Sequence, residues 1–97
     1  MNNQPGGKEG KASKNSLEKA IIRATEKMGQ ITGLKVLGVV GAVPESEGSY
    51  AVKIEFVERQ GIPDTMDLIG LYDVNLDSEG NILGYTRVDM RKRGEGY

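Results

Sequence analysis

The sequence predicts an α+β fold, one N-terminal amphipathic helix packed on a four-stranded antiparallel sheet. Three observations predict it. Leu17, Ile21, Ala24, Met28 and Ile31 recur at steps of four, three, four and three, which is one stripe of a helix. From Leu34 onward the apolar period falls to two, in four separate runs. The links between those runs are too short to hold a crossover helix, so neighbouring strands should run antiparallel. Cystatin-like and PepSY-like folds have this shape.

The first element is not a folded one. Residues 1–15 (MNNQPGGKEGKASKN) carry almost nothing apolar to bury. Such a segment cannot repay the entropy of ordering and reads as a disordered tail, with the α+β domain spanning 16–97. Asn15 or Ser16 should cap the helix, and Asn15 with Glu18 has capping-box spacing. Gly29 or Gly33 should end it. The polar face mixes Glu18, Lys19, Arg23, Glu26 and Lys27, which suits packing on a sheet better than lying on a membrane.

Leu34–Val43 is β-branched and closed by Pro44, and Gly38 and Gly41 within it point to a bulge or a close helix crossing. ESEGS (45–49) is turn chemistry. In the second strand, Ser49–Arg59, Tyr50, Val52, Ile54 and Phe56 face one way. The QGIPDTMD loop follows. There Gly61 should supply an unusual backbone angle, Pro63 should keep Ile62 extended, and Asp64 and Thr65 should bond nearby amides. Met66–Asp77 alternates again, with Leu68, Tyr72, Val74 and Leu76 opposite Ile69, Leu71 and Asp73. A turn at Ser78–Asn81 leads into a last strand, Ile82–Arg91.

Composition narrows the chemistry. The 97 residues include 13 Lys plus Arg and 14 Asp plus Glu, a net charge of −1 that attracts no polyanion strongly. Neither Cys nor His occurs, so thiol nucleophiles, disulfides, imidazole catalysis and the usual zinc ligands are excluded. No apolar run approaches the roughly 20 residues of a membrane span, and 1–15 lacks a signal-peptide core, so a cytoplasmic chain without membrane insertion is expected. Asp64, Asp67, Asp73, Asp77 and Glu79 are the carboxylates to weigh for acid–base work, but their turn and strand positions suit backbone service. The Walker pattern is missing. No catalytic residue, cofactor or metal is expected.

Two surfaces remain. Val57, Ile69, Leu71, Leu83 and Tyr85 are expected on the sheet face away from the helix, which would make that face unusually apolar and a partner site. The contact residues predicted are Ile69, Leu71, Leu83 and Tyr85, with Arg87 as a rim charge. The alternative is nucleic acid at Arg91, Lys92 and Arg93, beside Arg87 and Tyr85. The interrupting Asp89 and Glu95 weigh against it.

The second half carries a distinctive series: Ile54-Glu55-Phe56-Val57-Glu58, then Ile62-Pro63-Asp64-Thr65-Met66-Asp67, then Leu71-Tyr72-Asp73-Val74-Asn75-Leu76-Asp77, then Gly80-x-x-x-Gly84-Tyr85-x-Arg87. It resembles the gas vesicle protein O family from about Ser16 to Gly94, most specifically from Ser49 to Arg87. Tyr50 departs from the Trp that members often carry. The resemblance implies a non-enzymatic accessory protein for gas vesicle formation, with no cofactor, acting through contacts with other gas vesicle proteins, accessory or shell, or with further copies of itself. It leaves a regulator of vesicle gene expression as the alternative. A PepSY-like inhibitory module is a third reading, disfavoured by the expected location.

Overall fold

The computed structural model describes residues 14–97. Helix α1 (Lys14–Thr32) precedes strands β1 (Lys35–Pro44), β2 (Tyr50–Arg59), β3 (Leu68–Leu76) and β4 (Ile82–Lys92), with single 3₁₀ turns at Ser46–Gly48 and Asp64–Met66. The strands are antiparallel in the spatial order β1-β2-β3-β4, which is also their order in the chain. This is the expected architecture. The disordered tail predicted over 1–15 lies outside the described residues as far as residue 13. Lys14 and Asn15 already have helical backbone, so Asn15 and Ser16 sit inside α1 and do not cap it. A helix docked by later residues extends over a polar turn at little cost.

Ala20, Ala24 and Met28 form the buried centre of α1, with Leu17 packed beside them. The two alanines let the helix axis lie close to the sheet. Ile31 continues the stripe in sequence but is 54% exposed, because periodicity fixes a direction and not where the underlying sheet ends. Gly33, at φ +71°, then reverses the chain, its N–H donating to the Gly29 carbonyl.

Paired residues of adjacent antiparallel strands share a face, so the register sorts the whole sheet. Toward the helix lie the rows Val36–Phe56–Gly70–Met90, Val39–Ile54–Tyr72–Arg87, Ala42–Val52–Val74–Tyr85 and Pro44–Tyr50–Leu76–Ile82. Away from it lie Lys35–Val57–Ile69–Arg91, Gly38–Glu55–Leu71–Asp89, Gly41–Lys53–Asp73–Thr86 and Val43–Ala51–Asn75–Gly84. The core is the helix stripe against Tyr50, Val52, Ile54, Phe56, Tyr72, Val74 and Leu76.

Those rows correct the expectation of an apolar outer face. Its middle is polar, spanned by a Lys53–Asp73 ion pair at 2.7 Å. Tyr85 belongs to the helix side. The register shifts twice along β4, leaving Leu83 and Val88 without partners, and each shift inverts the faces that strict alternation assigns. Two further shifts interrupt β1 around Gly38 and Gly41, the bulge predicted there; a side chain at either glycine would meet nothing, so neither is a close crossing.

The loop after β2 also differs in detail. Gly61 has no positive φ; it is needed because a Cβ there would stand 2.7 Å from the Met66 backbone carbonyl carbon. The Ile62–Pro63 peptide is cis. The side chain that bonds a backbone amide is Asp67, accepting from Gly61 N–H at 2.7 Å, and not Asp64 or Thr65.

Candidate functional site

Helix α1 lies over β1, β2 and β3. Much of the helix-side surface of β4 is therefore left open, and aromatic rings lead out to it. Phe56, fully buried, meets the edge of Tyr72 with ring centroids 5.2 Å apart and an interplanar angle of 87°. Tyr72 in turn lies 6.3 Å from Tyr85, which is 43% exposed. Edge-to-face and tilted contacts of this kind hold rings in defined orientations. Tyr85 is thus an exposed ring braced from the core. Leu83, 66% exposed, and Val88 flank it at the two bulges.

A charged pair borders this strip. The Tyr72 hydroxyl donates to Glu58 Oε2 at 2.6 Å, and Arg87 Nη1 stands 3.6 Å from the same oxygen. Burial first, and then the Glu58 bond, push the Tyr72 phenol up to about 12, so it stays a donor throughout the neutral range. Glu58 can cross the sheet because its neighbour is Gly70, where any Cβ would collide with Glu58 Oε2. Alternation alone carries no signal for Glu58, Tyr72 or Val88 as part of the site. The Gly70 position facing Phe56 was the one available hint, and it requires the register to interpret.

The structure separates the five predicted contact residues. Leu83, Tyr85 and Arg87 share β4. Ile69 is fully buried on the opposite face, and Leu71 is half-buried there in the row of Glu55 and Asp89. Ile69 and Val57 are both buried, in the row that ends at Arg91. Arg91 grips Glu55 with two bonds, Nε to Oε2 at 3.0 Å and Nη2 to Oε1 at 3.1 Å. Its Nη1 donates to the carbonyls of Arg93 and Glu95, both at 3.0 Å. The Tyr97 hydroxyl donates to Glu55 Oε2 at 2.5 Å while its ring lies under the Arg91 guanidinium, 5.4 Å away. Arg93 bonds Asp67 Oδ2 at 3.0 Å, and Gly94 N–H donates to the Thr65 carbonyl. Of Arg91, Lys92 and Arg93, only Lys92 is exposed without an ion pair among the described residues. The basic cluster read from the sequence is largely spent on holding the chain to itself.

Three carboxylates in this framework sit below their ordinary values: Glu55 through the Arg91 bonds, Asp67 chiefly through Gly61 N–H, and Asp77 chiefly through Asn81 N–H. A depressed carboxylate adds stability above its unfolded value and loses it as pH falls through the folded one. The ordinary values are 4.5 for Glu55 and 3.8 for Asp67 and Asp77. The thermal midpoint should therefore be level from pH 7 to about 5 and fall steadily below about pH 4. Thermal scans by circular dichroism in one-unit pH steps check this; a midpoint that rises on acidification would contradict the assignments.

Nothing in the strip pairs a nucleophile with a base. Among the described residues no group of three or more Asp or Glu side chains is arranged to hold a metal ion, and no helix is long and apolar enough to cross a membrane. What the strip offers is a braced aromatic ring, two aliphatic side chains, a flanking charge pair and an edge strand with one unpaired backbone side. Exposed apolar side chains beside an unpaired strand edge are features through which strands pair with other chains.

The family model described as "Gas vesicle synthesis protein GvpO" matches residues 3–96. The chain is 30% identical over 79 residues to gas vesicle protein O of Haloferax mediterranei, covering 81% of this chain and 56% of that protein. It is 35% identical over 80 residues to gas vesicle protein O1 of Halobacterium salinarum, covering 82% and 66%. With gas vesicle protein O of a Streptomyces species it shares 32% identity over 71 residues, covering 73% and 55%. The chain thus spans between about half and two-thirds of the length of these curated relatives. No solved structure matches it.

Proposed function

The chain belongs to the gas vesicle synthesis protein GvpO family, and from that premise we propose that it is a non-catalytic accessory protein that contacts other gas vesicle proteins while vesicles form. Its relatives are named for gas vesicles, which ties the chain to the same process. The observation that carries the contact reading is the open strip on β4. Tyr85, Leu83 and Val88 are exposed on an edge strand that the chain's own helix, which lies chiefly over β1, β2 and β3, leaves largely open. An apolar segment of a vesicle protein in extended form can pair with the free β4 edge and bury these side chains, with Arg87 and Glu58 at the rim. The nucleic-acid alternative receives no support from the geometry, because Arg91 and Arg93 are held by Glu55 and Asp67.

The test is co-purification from cells expressing the tagged protein with the remaining gas vesicle proteins. Leu83→Asp combined with Tyr85→Ala should reduce capture at least tenfold, because a charge and a cavity replace the central contacts. Both residues are exposed, so the thermal midpoint should move by only a few degrees. Val40→Asp, an exposed apolar position on the opposite edge strand, serves as the control and should capture normally. Undiminished capture by the double variant would remove the β4 strip from consideration.

A further inference from the structure

We propose that a recess between α1 and the β3–β4 turn binds a phosphoryl group. The inference is independent of the β4 strip. The recess encloses about 130 Å³ and is lined by Ser16, Lys19, Arg23, Tyr50, Ser78 and Glu79. That is room for about four waters at roughly 30 Å³ each, enough for a tetrahedral oxyanion.

The decisive group is Tyr50. It is only 4% exposed, yet no described residue bonds its hydroxyl. Buried hydroxyls are normally satisfied, so an unpaired one beside a polar recess marks a place where something else completes it. Two cations converge on the same space. Lys19 and Arg23 are one helical turn apart, which puts their side chains side by side. Neither has an ion-pair partner among the described residues. Like charges at this spacing repel unless an anion lies between them. Arg23 packs closely on Gly80 of the β3–β4 turn, which also lines the recess: Gly80 is buried at φ +84°, and any Cβ there would collide with Arg23 Cδ.

Glu79 is the one acid in the lining, so the recess carries two positive charges against one negative. Its donors are an ammonium, a forked guanidinium, a phenol and the Ser78 hydroxyl, and they approach from both walls. A flat carboxylate with two oxygens would leave part of that set unmatched, whereas a phosphoryl group presents oxygens in several directions. Free inorganic phosphate and the terminal phosphate of a nucleotide share this chemistry.

Titration of the isotopically labelled protein with inorganic phosphate at constant ionic strength, followed by amide chemical shifts, tests the site. Saturable shifts confined to 16–23 and 78–81 are expected. Arg23→Gln should weaken the apparent affinity at least tenfold, and Tyr50→Phe at least threefold. In phosphate-free buffer Tyr50→Phe should leave the thermal midpoint unchanged or raise it, because it removes an unpaired group. A parallel titration with ATP separates the sources: tighter saturation assigns a nucleotide, equal or weaker saturation the free ion. The proposal is overturned if shifts are linear and spread over the surface, or if acetate binds as well as phosphate. It is equally overturned if Arg23→Gln behaves no differently from the exposed control Arg59→Gln, or if Tyr50→Phe destabilises the free protein.

Discussion

Replacing Arg91 with methionine should destabilise the fold by about 3 kcal/mol, the scale of breaking a mostly buried ion pair. The side chains of Arg91 and Glu55 are 17% and 12% exposed, so the stranded carboxylate would keep little water and only the Tyr97 hydroxyl. The carbonyls of Arg93 and Glu95 would lose a donor in the same step. Urea unfolding would record the loss as a lower midpoint. The Glu55→Leu, Arg91→Met double variant should recover most of it, since removing both charges leaves none unpaired. The gap between wild type and Arg91→Met should also narrow on acidification, because the bonded carboxylate titrates below its ordinary value. If the single variant is as stable as wild type, the C-terminal residues do not hold the outer face as described.

Phe56→Ala should cost more, about 3–5 kcal/mol. Phe56 is among the largest fully buried side chains and joins the helix-packed core to Tyr72. A small domain at the low end of about 5–15 kcal/mol has little left after such a loss. The variant should be substantially unfolded at physiological temperature, with its near-ultraviolet tyrosine signal collapsed. Phe56→Leu separates volume from ring geometry. It should fold, with a loss of about 1–2 kcal/mol, and should loosen Tyr85 through the missing edge contact on Tyr72. A Phe56→Leu protein that captures partners normally would show that the brace behind Tyr85 is not needed for contact.

The two halves of the sheet differ in how far they can be read from sequence. In β2 the alternation Tyr50, Val52, Ile54, Phe56 is uninterrupted, and all four are core residues. In β4 the same rule places Tyr85 on the wrong face, because the unpaired Leu83 shifts the residues after it by one position as far as Val88, where a second shift restores the alternation. Leucine at a bulge looks like leucine at a paired position; only the partner strand tells them apart. The basic run Arg91–Arg93 is less free than its sequence suggests, for a related reason. Its anions are Glu55 and Asp67, 36 and 26 residues away, and a count of nearby charges cannot see them. Glu55 faces outward by alternation and would ordinarily be assigned to solvent.

From the sequence alone came the order of one helix and four strands, the antiparallel pairing, the core positions Ala24 and Met28 of α1 and the core-facing runs of β2 and of Tyr72, Val74 and Leu76 in β3, and the family; Ala20 in the core and Ile31 outside it did not. The family rests on the resemblance of the Ser49–Arg87 motifs, and the rest on local spacing and turn chemistry, all of which are written along the chain. Tertiary structure decided which face Tyr85 occupies, that Ile69 is enclosed, that Arg91 and Arg93 are internally paired, and that Tyr50 lies buried beside Lys19 and Arg23. Each of those depends on register, or on groups far apart in the chain meeting in space. A period of two fixes faces only until a single residue is inserted between pairs.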